Sequence, residues 1–289
     1  MEITDNVIEV CEYAYAHTDD MASEHFDISL ETINRYKRTY NKKPTAKVLL
    51  FDIETAPVMA FVWQMWKQNV NKDQIINDWF ILTWSAKWLY SPEIINAKLT
   101  PKEAKAQDDK RITIPLWHLF EEADILIAHN AINFDVPKMN TRFIMNGLKP
   151  PSPYQIIDTL KVARKEFAFS HNRLDYLGTL FGVGNKNKTD FDLWKNCYAG
   201  KKDALAEMLS YNDQDVILLE DVYVKLRPWI KSHPNMNLYT EDNVCSNCGS
   251  RRIINTGTYR TNVNEYLSEQ CECGAWSRKT KKSKMSIAR

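Results

Sequence analysis

From about residue 46 to residue 235, short apolar runs alternate with stretches of helical periodicity, and this alternation limits most tightly what the chain can fold into. Val48-Leu49-Leu50-Phe51-Asp52-Ile53 reads as a strand, and Trp79-Phe80-Ile81-Leu82-Thr83-Trp84 as another. Ile94-Ile95 starts a third, and Ile125-Leu126-Ile127-Ala128 is a short buried strand. Helices are expected from Leu116 to Glu122 and over 135–146, 159–168, 174–181, 202–210 and 213–226. Strands interleaved with helices predict an α/β layer fold.

Composition excludes several functions. The chain has 289 residues, enough for about two domains. A hydrophobic share of 44% and a charged share of 26% are those of an ordered globular protein. Only 8 glycines are present, and no G-x-x-x-x-G-K-[ST] loop occurs. Gly182 and Gly184 lack the third glycine of a dinucleotide fingerprint. Phosphates, if handled, must therefore be met by metals or side chains. Glu2, Asp5, Glu9 and Glu12 make the start acidic, unlike a signal peptide, and no run is long enough to span a bilayer. The expected setting is cytoplasmic: an intracellular, soluble protein without a membrane partner.

Carboxylates gather at the ends of the apolar runs. Asp52 and Glu54 are two apart on one strand, so both point to the same face. Asp135 follows His129-Asn130-Ala131-Ile132-Asn133-Phe134, just past a strand and at a helix start. Tyr211 and Asp215 are four apart and share one helical face. Like carboxylates repel unless divalent cations neutralise them, and hard oxygen ligands suit Mg²⁺ or Mn²⁺. Two such ions can clamp the attacking and leaving oxygens of a phosphodiester displacement. Taken singly, each feature has a blander reading: a solvated strand end, a helix cap, a core tyrosine.

Taken together and in order, these segments resemble the DEDD superfamily of 3′–5′ exonucleases, whose domain is ribonuclease H-like. Phe51-Asp52-Ile53-Glu54-Thr55 matches the first motif, and His129 to Asp135, followed by Val136-Pro137, matches the second. Tyr211 to Asp215 matches the tyrosine form of the third, the DEDDy branch; the histidine form would need His where Ser210 stands. The resemblance spans about 46–232 and includes Ile157-Asp158-Thr159 before a helix. It implies that Asp52, Glu54, Asp135 and Asp215 hold two Mg²⁺ or Mn²⁺ ions, and that Tyr211 with Glu54 orients the attacking water. The implied function is a 3′–5′ exonuclease releasing nucleoside 5′-monophosphates. DNA is the expected substrate because the second motif is polymerase-like; an exoribonuclease, or a nucleic-acid-binding scaffold, is the alternative. Asn130 and Phe134 are candidates for lining the 3′ end. Trp63, Trp66, Trp79, Trp84, Trp88 and Tyr90 could offer stacking surfaces or simply fill the core.

Two small modules flank this 46–235 domain. Residues 1–43, from Ala22 through Ser29 to Tyr36, resemble a helix-turn-helix, an all-α unit with Ser29 as N-cap and Ile33 turned inward. Asn34, Arg35, Lys37 and Arg38 would face DNA; a packing or docking domain is the alternative. Residues 240–278 resemble a β zinc ribbon, with Cys245, Cys248, Cys271 and Cys273 as ligands of one structural Zn²⁺. The second pair is C-x-C where C-x-x-C is usual. A basic tail, 279–289, follows. Residues 1–46 hold nine acids and five bases, and residues 240–289 hold five acids and nine bases. The total of +1 therefore hides an acidic beginning and a basic end. That basic end suits phosphate contacts or a solvated terminus.

Overall fold

The computed structural model describes residues 5–16, 18–33, 36, 46–184, 190–240 and 244–279. In chain order its strands are β1 (Val48–Thr55), β2 (Met59–Ala60), β3 (Ile75–Asn77), β4 (Ile81–Trp88), β5 (Ile95–Lys98), β6 (Ile125–Ala128), β7 (Gln155–Asp158), β8 (Ile253–Arg260), β9 (Glu265–Cys271) and β10 (Trp276–Lys279). Five of them form the central sheet, in the order β5-β4-β1-β6-β7. β1 runs antiparallel to β4 and parallel to β6, so the sheet is mixed and changes direction at β1. β2 and β3 form a separate small ribbon. The α/β expectation is borne out, with a mixed sheet flanked by helices.

Alternation along β1 sorts its residues between two cores. Leu49, Phe51 and Ile53 pack with Trp84, Ile112, Leu116, Phe120 and Phe143 on one face. Val48 and Leu50 pack with Val216, Leu219 and Val222 of the Lys202–Leu226 helix on the other. Asp52 and Glu54 continue that second series, so they emerge where apolar packing against the long helix gives way to polar groups. Truncating a fully buried anchor such as Phe51 to Ala would cost about 3–5 kcal/mol.

The expected helices lie at Asp135–Met145, Thr159–Glu166 and Leu174–Phe181, and the one foreseen from Leu116 begins earlier, at Lys110. Two short helices were not foreseen, Pro101–Ala106 and Phe191–Tyr198. Each has a readable start: a Thr100/Glu103 capping box with Pro101 behind it, and Asp190 accepting from the N–H groups of Asp192 and Leu193. The second strand lies at 81–88 instead of 79–84. The helices expected at 202–210 and 213–226 are one helix of 25 residues. Asn212 does not break it because its side chain bonds across to Asp52 instead of to its own backbone.

At the N-terminus, helices Asp5–Ala16 and Asp19–Phe26 and a helical turn at 30–33 enclose Val10, Ala14, Ala22 and Ile33. Ser29 caps that turn, accepting from the Thr32 N–H at 3.2 Å. Asn34, Arg35, Lys37 and Arg38 lack a described side-chain placement, as does the tail from 280. At the other end, β8, β9 and β10 form an antiparallel meander. It sits on the core beyond the long helix: Asn247 Nδ2 donates to the Arg227 carbonyl at 2.9 Å, and the Met236 N–H donates to the Ser246 carbonyl at 2.9 Å. Among the described residues, no helix is long and apolar enough to cross a membrane.

Candidate active site

Oxygens of Asp52, Glu54 and Asp215 lie within 4.8 Å of one another, joining β1 to the middle of the long helix. Asn212, fully buried on that helix, donates to Asp52 Oδ2 at 2.6 Å and accepts from Thr83 Oγ1 of β4 at 3.3 Å. Next to it, Asp213 accepts from Ser85 Oγ at 2.6 Å and from Asn96 Nδ2 at 2.9 Å. These bonds fix the rotation of the helix over the sheet, and with it the aim of Tyr211 and Asp215. Tyr211, Asp52 and Asp215 line one cleft of about 880 Å³. Trp194 packs edge-on against Tyr211, with ring centroids 6.3 Å apart.

Asp135 opens the helix after β6 and lies outside the three-carboxylate group. It is 1% exposed, and neither carboxylate oxygen has a well-aligned hydrogen bond. Burial pushes its carboxyl up to about 8; the neighbouring Asp158 and Glu54 add to the shift, and its own N–H and that of Ile53 oppose it. A carboxyl so placed is costly as a bare anion and welcomes a nearby cation. A cluster of three hard carboxylates with a buried fourth beside Glu54 fits Mg²⁺ or Mn²⁺ in donor type and charge.

The loop carrying the second motif hangs on one residue. Asp158, at the end of β7, accepts from the N–H groups of Asn130, Ile132, Leu160 and Lys161, each at 3.1 Å. It thereby caps the following helix and ties it to the Asn130 turn, where φ is 82°. His129 is structural: Nε2 meets the Asn172 carbonyl and Nδ1 the Thr159 hydroxyl, both at 2.9 Å. A carbonyl only accepts, so Nε2 carries a proton. Asn130 lines the main cleft; Phe134 is 36% exposed, with Lys138 Nζ 5.2 Å from its ring.

The cleft is also lined by Arg164, His171 and Arg173, residues for which the sequence held no motif. A second cavity of about 450 Å³ begins at Thr55, the residue after Glu54, and is lined by Trp79, Phe191, Trp194 and Lys138. Lys138 Nζ lies 3.7 Å from the Trp79 ring, and burial draws its pKa down while Asp78 and Asp135 hold it up. The aromatic candidates thus part company. Trp84 is core at 1% exposure, and Trp88 packs against the core. Trp79 lines the second cavity, and Trp63 and Trp66 stand 96% and 80% exposed.

The four paired cysteines also converge, their sulfurs within 4.8 Å of one another. Cys245 Sγ and Cys273 Sγ are 3.9 Å apart, and Cys248 Sγ and Cys271 Sγ 3.6 Å. Tetrahedral sulfur ligands about 2.3 Å from one zinc would stand about 3.8 Å apart. The C-x-C pair therefore closes the site as well as C-x-x-C does.

Residues 93–227, a little under half of the chain, match a family model described as RNase_H superfamily. The chain is also 29% identical over 131 residues to a PolC-type DNA polymerase III of Ureaplasma parvum, over 42% of this chain. It spans only 8% of that relative's length. Among solved structures, the family B DNA polymerase of Pyrobaculum calidifontis aligns with a TM-score of 0.45 and 14% identity, covering 65% of this chain and 26% of that one.

Proposed function

We propose that the protein is a metal-dependent 3′–5′ exonuclease of the DEDDy type, acting inside the cell on DNA. The observation that carries this reading is the meeting of Asp52, Glu54 and Asp215, with Tyr211 lining the same cleft as Asp52 and Asp215. The superfamily match and the similarity to a PolC-type polymerase support it. Asp52, Glu54 and Asp215, with Asp135 beside Glu54, would hold two Mg²⁺ or Mn²⁺ ions. Bound there, such ions lower the pKa of water and neutralise charge on the phosphate.

The protein's own groups do the rest. Tyr211 and Glu54 orient the water that attacks the last phosphodiester. Its oxygen bonds to phosphorus, and the bond to the 3′-oxygen of the penultimate nucleotide breaks. A nucleoside 5′-monophosphate leaves, and a new 3′-hydroxyl remains. Asn212 holds Asp52 in place, while Arg164 and Arg173 offer charge to the phosphates. Asn130 and Phe134 would line the 3′ end. Cys245, Cys248, Cys271 and Cys273 would hold a structural zinc. The N-terminal helices are read as helix-turn-helix-like, with duplex DNA as partner.

The test is incubation with 5′-labelled single- and double-stranded DNA and RNA in Mg²⁺, alongside Asp52→Ala and Asp215→Ala. The expected result is a ladder shortened from the 3′ end, strongest on DNA and absent in both variants. Shortening of RNA alone would assign an exoribonuclease. No cleavage, with tight binding retained, would assign a scaffold.

A further inference from the structure

The three-stranded sheet at the C-terminal end has two unlike faces. In its register Tyr259 pairs with Tyr266, Arg278 with Ser268, and Trp276 with Gln270. Tyr266, Ser268 and Gln270 alternate along β9, so they share one face and bring Tyr259, Trp276 and Arg278 to it. Tyr259 is 48% exposed and Trp276 57%. The Arg278 guanidinium lies 5.0 Å from the Tyr266 ring and 5.6 Å from that of Tyr259, and the two tyrosine rings are 6.5 Å apart. Gly257, which also pairs with Ser268, leaves the face low beside Tyr259. Among the described strand residues, none on this face is a carboxylate.

The opposite face differs. There Arg260 pairs with Glu265 at 2.8 Å and Lys279 with Glu269 at 2.6 Å. The third acid among the described residues 244–279, Glu272, is met by Arg252 at 3.3 Å. The described acids are thus already matched by bases elsewhere, and Arg278 is held by rings and exposed. A flat surface of exposed rings with an arginine and no acid complements a polyanion whose base faces are open. A duplex hides those faces, whereas a single strand presents them.

We propose that this face is a stacking platform for unpaired nucleic acid, with bases on Tyr259, Tyr266 and Trp276 and a phosphate at Arg278. Trp276 pairs four residues along β9 from Tyr266, so the platform runs about 13 Å. The bound strand is the one whose 3′ end enters the acidic cleft, and in that respect alone the inference rests on the nuclease reading.

The test uses the full, zinc-loaded chain without added Mg²⁺ and a fluorescent oligo-dT of about 20 nucleotides, with a duplex of equal length beside it. Tyr259→Ala/Trp276→Ala should weaken oligo-dT binding on the order of 10- to 100-fold and leave the duplex nearly unaffected. Arg278→Gln keeps the rings and should lower the salt slope by about one. Leu267→Ala, on the opposite face, should change affinity less than about two-fold. Oligo-dT affinity unchanged in a double variant that retains its zinc would overturn the proposal. So would an equal loss from Leu267→Ala, or a dimer that Trp276→Ala dissociates without touching oligo-dT affinity. If the protein proves unable to cleave while the double variant still loses oligo-dT, the nuclease reading fails and the platform stands.

Discussion

The acidic cleft and the cysteine cluster are both metal-ready sites, yet they are built in opposite ways. The cleft draws Asp52 and Asp215 from distant parts of the chain and rests on two packed cores. The cysteine cluster draws on two turns of one small module, whose own buried core is Cys245, Cys271 and Ala275. In the first, folding makes the site, and a bound metal would serve chemistry. In the second, the candidate ligands are themselves the core, so a bound metal would make the fold. The ligand atoms follow suit: hard oxygens where an ion must exchange water and product, soft sulfurs where it must stay.

That contrast breaks most readily by removing the metals. Stripping zinc should unfold β8–β10, removing a stabilisation on the order of 10 kcal/mol, while the central α/β core keeps its melting transition. Amide exchange would show it; protected strands in the stripped protein would erase the difference between the sites. Next in size, Asp215→Asn should lower turnover by about 10²- to 10³-fold with no loss of thermal stability, measured by calorimetry beside a 3′-end assay. A large fall in melting temperature would mean that the cleft, like the ribbon, is held up by its ligands.

Smaller effects sharpen the comparison. Asn212→Ala should weaken the dependence on Mg²⁺ by about 10- to 100-fold, because Asp52 loses the donor that aims it. A titration of activity against Mg²⁺ checks this, and an unchanged curve would remove Asn212 from the site. Smallest is a carboxylate that needs no metal. The Arg111 hydrogen bond, with help from Thr100, holds Glu103 down to about 2 from 4.5. Its folded pKa is depressed, so its contribution is present above about pH 4.5 and fades as pH falls toward 2. With Arg111 exposed and Glu103 half-buried, Glu103→Gln should cost under about 1 kcal/mol near neutrality and nothing at the acid end. Melting curves across that range decide it.

Much of the acidic site was legible because it follows periodicity. Spacing of two put Asp52 and Glu54 on one face, and spacing of four did the same for Tyr211 and Asp215. What hid was what depends on a distant partner. Asn212 reads as a helix breaker until β4 and Asp52 are beside it. Asp158 could be noted before a helix, but its four N–H donors come from two segments far apart in sequence. Arg164 and Arg173 belong to no motif and reach the cleft only through the fold. The tryptophans show the limit plainly: Trp84 and Trp63 look alike in sequence, yet one is sealed in the core and the other stands in solvent.

The burial of the two remaining cysteines has a practical use. Cys11 and Cys197 are 0% exposed, and burial pushes the Cys197 thiol up to about 12. A thiolate-seeking reagent at neutral pH therefore finds little to attack there. Labelling of the native chain therefore falls on the four cysteines of the C-terminal cluster, and if they hold a metal, alkylation followed by mass measurement would become a tally of its occupancy, molecule by molecule.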